Sequence, residues 1–184
     1  FPKGLARIAP PLVMQLEKPA QTCRVFILGE SAALGDPEPS FGFGRYLEVL
    51  LRERFPGTRF EVVCTAITAI NSHSSLPIAR ECAQHQGDVW VSYMGNNEVG
   101  GPVGGGTVLG AKAPPLAFIR ATLALKELRL GQEFSDLLDQ WRNRGNDPAT
   151  WQGMKMFLNS QTRPEDPARL RTERNFETNL KDIL

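Results

Sequence analysis

Residues 24–35 read RVFILGESAALG, and the reading of this stretch decides the fold. Arg24–Leu28 is an almost unbroken apolar run of strand length, the pattern of a strand buried on both faces. The chain then breaks at Gly29-Glu30-Ser31. Two later runs have the same character, Arg59–Cys64 (RFEVVC) and Asp88–Met94 (DVWVSYM). Between the first two lies FGFGRYLEVLLRERFPG, whose Phe43, Leu47, Leu50 and Leu51 recur at helical spacing and which Pro56-Gly57 stops. Between the second and third lies SSLPIARECAQHQG, with Ser74 or Ser75 as a cap, Pro77 in a first turn and Gly87 as the stop. Strand and helix alternating with short links predict right-handed βαβ units and a parallel sheet, hence an α/β fold. In such sheets chemistry gathers at the carboxyl ends of the strands. Ser31, the Thr65–Asn71 stretch and Gly95–Glu98 all fall there.

Bulk properties narrow the function classes. The chain has 184 residues, 41% hydrophobic and 22% charged, with a net charge of +1. That suits one globular domain and offers no basic field for nucleic acid. Three cysteines, Cys23, Cys64 and Cys82, form no CxxC pair, so neither a disulfide framework nor a zinc site is expected. They read as small buried hydrophobes. No apolar run approaches the ~20 residues of a membrane span, and residues 1–23 read as a proline-punctuated lead-in without the apolar core of a signal peptide. The compartment stays open, envelope or cytoplasm.

The glycine-rich stretch Gly100–Pro115 fails as a phosphate cradle. Gly105 and Gly110 have the Walker spacing, but Ala111 stands where lysine is needed, and Leu109 breaks GxGxxG. A mobile rim is expected instead. One or two helices follow, with Ile119, Leu123, Phe134, Leu137, Leu138 and Trp141 as their apolar positions. The segment holding Trp151, Met154, Met156, Phe157 and Leu158 reads as an insertion or lid. A last helix turns Leu170, Phe176, Leu180 and Ile183 toward the core. The domain is thus expected over residues 24–184, with a loop and helical insertion around 100–168. Three strands fall short of the ~5–6 of a usual sheet, so a further strand is expected after Leu184.

Ser31 beside a glycine at a strand end is a candidate nucleophile, although serines there also cap helices. Asn96 and Asn97 follow the third strand and can aim an amide into the same crevice; asparagine also suits such turns for its left-handed tolerance. Taken together, FILGESAALG, VVCTAITAIN and VWVSYMGNNEVG resemble, in order and spacing, the first three sequence blocks of the SGNH (GDSL-like) hydrolases. The resemblance covers roughly residues 24–100. It implies a three-layer α/β/α, flavodoxin-like fold whose sheet is incomplete at the C-terminus, and a serine esterase, acyl hydrolase or acyltransferase. Ser31 would be nucleophile and backbone oxyanion donor, Asn97 the side-chain donor, and Ala69 the second-block backbone donor in place of the family's glycine. Glu30 and Glu98 stand where the family has aspartates and are expected to serve local hydrogen bonds. No cofactor or metal is implied; the substrate would be a small-molecule, glycan or lipid ester. A subgroup in larger bacterial proteins joins this domain to tetratricopeptide repeats, none of which is visible here.

The family's closing Asp-x-x-His is missing. Only His73 and His85 are present. His85 reads as surface, away from the crevice, and His73 as lining the pocket or capping a helix rather than as the base. The catalytic Asp and His are therefore expected beyond residue 184. The alternative is a non-catalytic SGNH-like domain that keeps its crevice for binding or protein interaction.

Overall fold

The structure, a computed structural model, describes residues 12–108, 110–128 and 160–184. Three parallel strands, β1 (Thr22–Gly29), β2 (Arg59–Cys64) and β3 (Val89–Tyr93), form a sheet in the order β2-β1-β3. Val25 pairs with Val62 on one side and Val89 on the other. The central strand is the most buried, as a strand with two neighbours and two covered faces must be, while Val89 and Tyr93 at the ends of β3 are exposed.

Successive β1 side chains serve opposite faces, as the strand pleat dictates. Phe26 joins Val63 and Cys82, with Ile78 of α3 (Ser72–Cys82), Met14 and Trp90 packed around them. Ile27 joins Ala33 and Ala66, with Phe43 and Leu47 of α2 (Phe43–Arg54) packed on them. Of the predicted inward face of α2, Leu50 departs: it is 62% exposed.

The arginine that opens the apolar run is itself fully buried. Arg24 Nε donates to Glu61 Oε2 at 2.7 Å, Nη1 to the His85 carbonyl at 2.6 Å and Nη2 to the Gln15 carbonyl at 2.7 Å. A charge is tolerated there because each side of the guanidinium has an acceptor.

The helix after β2 starts earlier than the serines suggest. Asn71 is the N-cap of α3, so Ser74, Ser75 and Pro77 lie inside it. The Asn71 side chain makes no capping bond; Glu98, from beyond β3, accepts the Ser72 amide at 2.6 Å instead. Such a cap is supplied by tertiary structure, which local sequence cannot announce.

Helix α4 (Leu116–Glu127) follows the glycine-rich loop, and α5 (Pro167–Ile183) packs against α3. The expected apolar face of α5 is corrected. Its buried positions are Thr172, Asn175 and Asn179, while Phe176, Leu180 and Ile183 are half-buried and Leu170 is exposed. Of the loop expected as a rim, residues 104–107 are packed, while residues 110–112 are exposed. Gly104, Gly105 and Gly106 are buried. A Cβ at Gly104 would overlap the carbonyl oxygens of Val99 and Glu98, and one at Gly105 would stand 2.9 Å from the Ala168 backbone. The glycines let the first turn of α5 settle on the loop. The readings made for Phe134, Leu137, Leu138, Trp141 and the Trp151–Leu158 segment lie outside the described residues, as do residues 1–11 of the lead-in.

Candidate functional site

Gly29 ends β1 where it passes closest to β3. A Cβ there would overlap the Tyr93 carbonyl oxygen and stand 2.5 Å from the Ala33 Cβ. This close passage brings Glu30 under the turn that follows β3. The Glu30 side chain is fully buried, and its two carboxylate oxygens accept from Gly95 N at 3.1 Å and Asn97 N at 2.9 Å. Burial raises its pKa, opposed by the amides of Gly95, Asn97 and Asn96.

Ser31 opens the four-residue helix α1 (Ser31–Leu34) and is half-buried. Its carbonyl accepts from Gly35 N at 2.9 Å and Asp36 N at 3.0 Å. Its own N–H is a first-turn amide, which has no acceptor within the helix. Its hydroxyl makes no hydrogen bond among the described residues.

Ala69 lies in the link after β2 with φ +64°, in the left-handed region. The Cβ pays steric strain of about 1–2 kcal/mol there. Ala69→Gly relieves it, and the entropy glycine adds to the unfolded chain cancels part of the gain. A net stabilisation of about 0.5–1 kcal/mol is expected in urea denaturation.

Asn97 joins the three strand ends. Its backbone is held from β1 by Glu30, and its Nδ2 donates to the Ile70 carbonyl at 2.9 Å in the link after β2. An asparagine amide has two hydrogens, so this anchor fixes the group and leaves the second for a ligand. Asn96 is exposed and contributes only its backbone amide, which faces the Glu30 carboxylate. Ser31, Ala69 and Asn97, the three predicted site residues, therefore lie on the ends of three adjoining strands, cross-linked through Glu30 and Ile70.

Behind them runs a polar network that periodicity did not reveal. Glu98 Oε2 accepts from Ser72 Oγ at 3.0 Å, and Ser72 Oγ accepts from Asn179 Nδ2 at 3.0 Å. Burial raises the Glu98 pKa, the Ser72 bonds oppose it, and the Glu30 charge adds to the rise. Asn179 Nδ2 also meets His73 Nδ1 at 2.8 Å, while Asn179 Oδ1 accepts from Arg120 at 3.0 Å. The signal in the sequence was the polar spacing of residues 172, 175 and 179.

His73 thus turns its ring to α5. Its unprotonated nitrogen accepts from Asn179, which leaves no lone pair for a serine proton. Burial, with Arg120 adding to it, lowers its pKa to about 4. The unfolded chain binds a proton near pH 6.5 and the fold does not, so stability present above pH 6.5 is lost as pH falls toward 4. His73→Gln keeps an acceptor for Asn179 without the titration. Wild type is expected to lose about 2 kcal/mol more than this variant between pH 7 and pH 5. Glu30 and Glu98 act with the opposite sign and are common to both proteins, so the difference isolates His73. His85 is half-buried in the turn after α3, with its carbonyl on Arg24.

Two other features bear on ligands. A cavity of about 470 Å³ lies between α3, the sheet and residues 12–14, and it is lined by none of Ser31, Ala69 and Asn97. No three or more His, Cys, Asp or Glu side chains among the described residues are placed to hold a metal ion. Compared with protein-family models, with curated proteins and with solved structures, the chain shows no match.

Proposed function

We propose that this chain carries the nucleophile and oxyanion donors of a serine acyl hydrolase or acyltransferase, in a three-layer α/β/α domain of the SGNH type. The observation that supports this most is the cross-linking of three strand ends around Ser31: Glu30 to Gly95 and Asn97, and Asn97 to Ile70. Site geometry of this kind matters because an oxyanion donor acts only if it is preorganised.

In this reading Ser31 Oγ attacks the acyl carbonyl of an ester. A bond forms from Oγ to the carbonyl carbon, and the carbonyl π pair moves to oxygen. The oxyanion is met by the Ser31 N–H, the Ala69 N–H and the second Asn97 Nδ2 hydrogen. A base takes the Oγ proton and returns it to the leaving alcohol; water, or an acceptor hydroxyl, then removes the acyl group. The base in this reading is a histidine beyond residue 184, since His73 accepts from Asn179 and His85 lies just before β3, at the amino ends of the strands. The substrate class is a small-molecule, glycan or lipid ester, and no cofactor takes part. Tetratricopeptide repeats elsewhere in the protein would be its neighbours.

The occupied lone pair of His73 favours one rival, a domain that keeps the crevice for binding. Treating the whole protein with a fluorophosphonate probe and mapping the adduct separates them. A single adduct on the peptide holding Ser31 supports the hydrolase. A folded protein that stays unlabelled overturns it and leaves the binding module.

A further inference from the structure

Glu30 does not touch the site of bond making, yet both side-chain hydrogen bonds from the nucleophile strand to the Asn97 turn among the described residues come from it. Ser31 follows it directly in the chain. Its two oxygens hold Gly95 N and Asn97 N at 3.1 and 2.9 Å, in a residue with no exposed surface. A carboxylate enclosed by the amides of Gly95 and Asn97, two positions apart, with that of Asn96 between them, occupies a small anion nest. Among these bonds only a carboxylate satisfies both amides, because it accepts through two oxygens and donates nothing.

We infer that Glu30 is a positioning residue, setting the distance between the Ser31 hydroxyl and the Asn97 oxyanion donor. This rests on the serine-hydrolase reading. A shift of the Gly95–Asn97 turn would move the Asn97 amide off the developing oxyanion while leaving the ground-state crevice in place. Loss of Glu30 should therefore slow bond formation without weakening first binding. A residue that merely holds the fold would lower stability and leave the rate of the folded fraction unchanged.

Glu30→Gln keeps the shape of the side chain but sets its NH2 against one of the two amides. Glu30→Asp keeps the charge and shortens the arm by one methylene. The test is the kinetics of Ser31 labelling by a fluorophosphonate in the whole protein, split into the labelling rate constant and the probe's dissociation constant. Exchange of the Gly95 and Asn97 amides is read alongside. Glu30→Gln should lower the rate constant by about 10- to 100-fold, part of the effect of losing an oxyanion donor outright. The dissociation constant should stay within about twofold, and both amides should exchange faster. Glu30→Asp should fall between the two proteins. If Glu30→Gln labels as fast as wild type, the positioning role is overturned while the hydrolase reading stands. If wild type itself is not labelled at Ser31, the hydrolase reading fails and this role fails with it. Should Glu30→Gln not fold, Glu30→Asp decides: a several-fold slower rate at unchanged affinity supports the role, and a wild-type rate overturns it.

Discussion

Ser31→Ala is expected to reduce hydrolysis of a short-chain aryl ester by the whole protein at least about 10⁴-fold, with the fold intact. Removal of Oγ deletes the atom that would form the covalent intermediate. The Asn97 amide and the Ala69 N–H would remain, so any residual rate reports the oxyanion donors alone. Little structural cost accompanies the change. The hydroxyl makes no hydrogen bond among the described residues, and Ser31 sits at the first position of a helix that already contains Ala32 and Ala33. Alanine has the higher helix propensity at interior positions, and the unfolding midpoint should move by no more than about 2 °C. The measurement is ester turnover beside a thermal melt of the same sample. A rate within tenfold of wild type in a folded Ser31→Ala protein would assign the nucleophile elsewhere.

That the site was partly legible in the sequence follows from how it is built. β1, buried on both faces, declares itself as an apolar run, while β2, bounded at Arg59 and Cys64 from sequence and structure alike, keeps Arg59 exposed and Glu61 half-buried. The carboxyl ends of the strands then locate Ser31, Ala69 and Asn97. Glu30 and Glu98 were readable as hydrogen-bonding carboxylates, though not their partners. What escaped was set by distant residues. Glu98 caps α3 across 26 positions of chain, and Gly105 is shaped to Ala168, far along the sequence. Helix α5 misled because its hydrophobic period points to Leu170, whereas its buried stripe is Thr172, Asn175 and Asn179. A polar stripe can be buried where each amide finds partners, as Asn179 does with Ser72, His73 and Arg120. Periodicity measures apolar burial and is blind to that arrangement.

Arg24→Met is expected to destabilise the protein by about 3 kcal/mol, the low end for removing one member of a buried ion pair. Methionine fills part of the space but donates no hydrogen bond. Glu61 would lose the Nε partner at 2.7 Å, and the His85 and Gln15 carbonyls would lose their donors. The Glu61 side chain is 26% exposed, so water can recover part of that loss, which keeps the cost below the deepest cases. A second substitution tests the cause. In Arg24→Met with Glu61→Met the stranded carboxylate is gone, and about 1 kcal/mol or more should return. The exposed pair of Lys18 with Asp88 offers a contrast, since Lys18→Ala should cost within about 0.5 kcal/mol. Urea denaturation of the four proteins with a common m-value gives all the numbers. Arg24 lies at the end of β1 opposite Ser31, so labelling of Ser31 in the folded variant should match wild type at low temperature. If the double variant is no more stable than Arg24→Met, the lost carbonyl bonds, not the charge on Glu61, explain why the central strand buries an arginine.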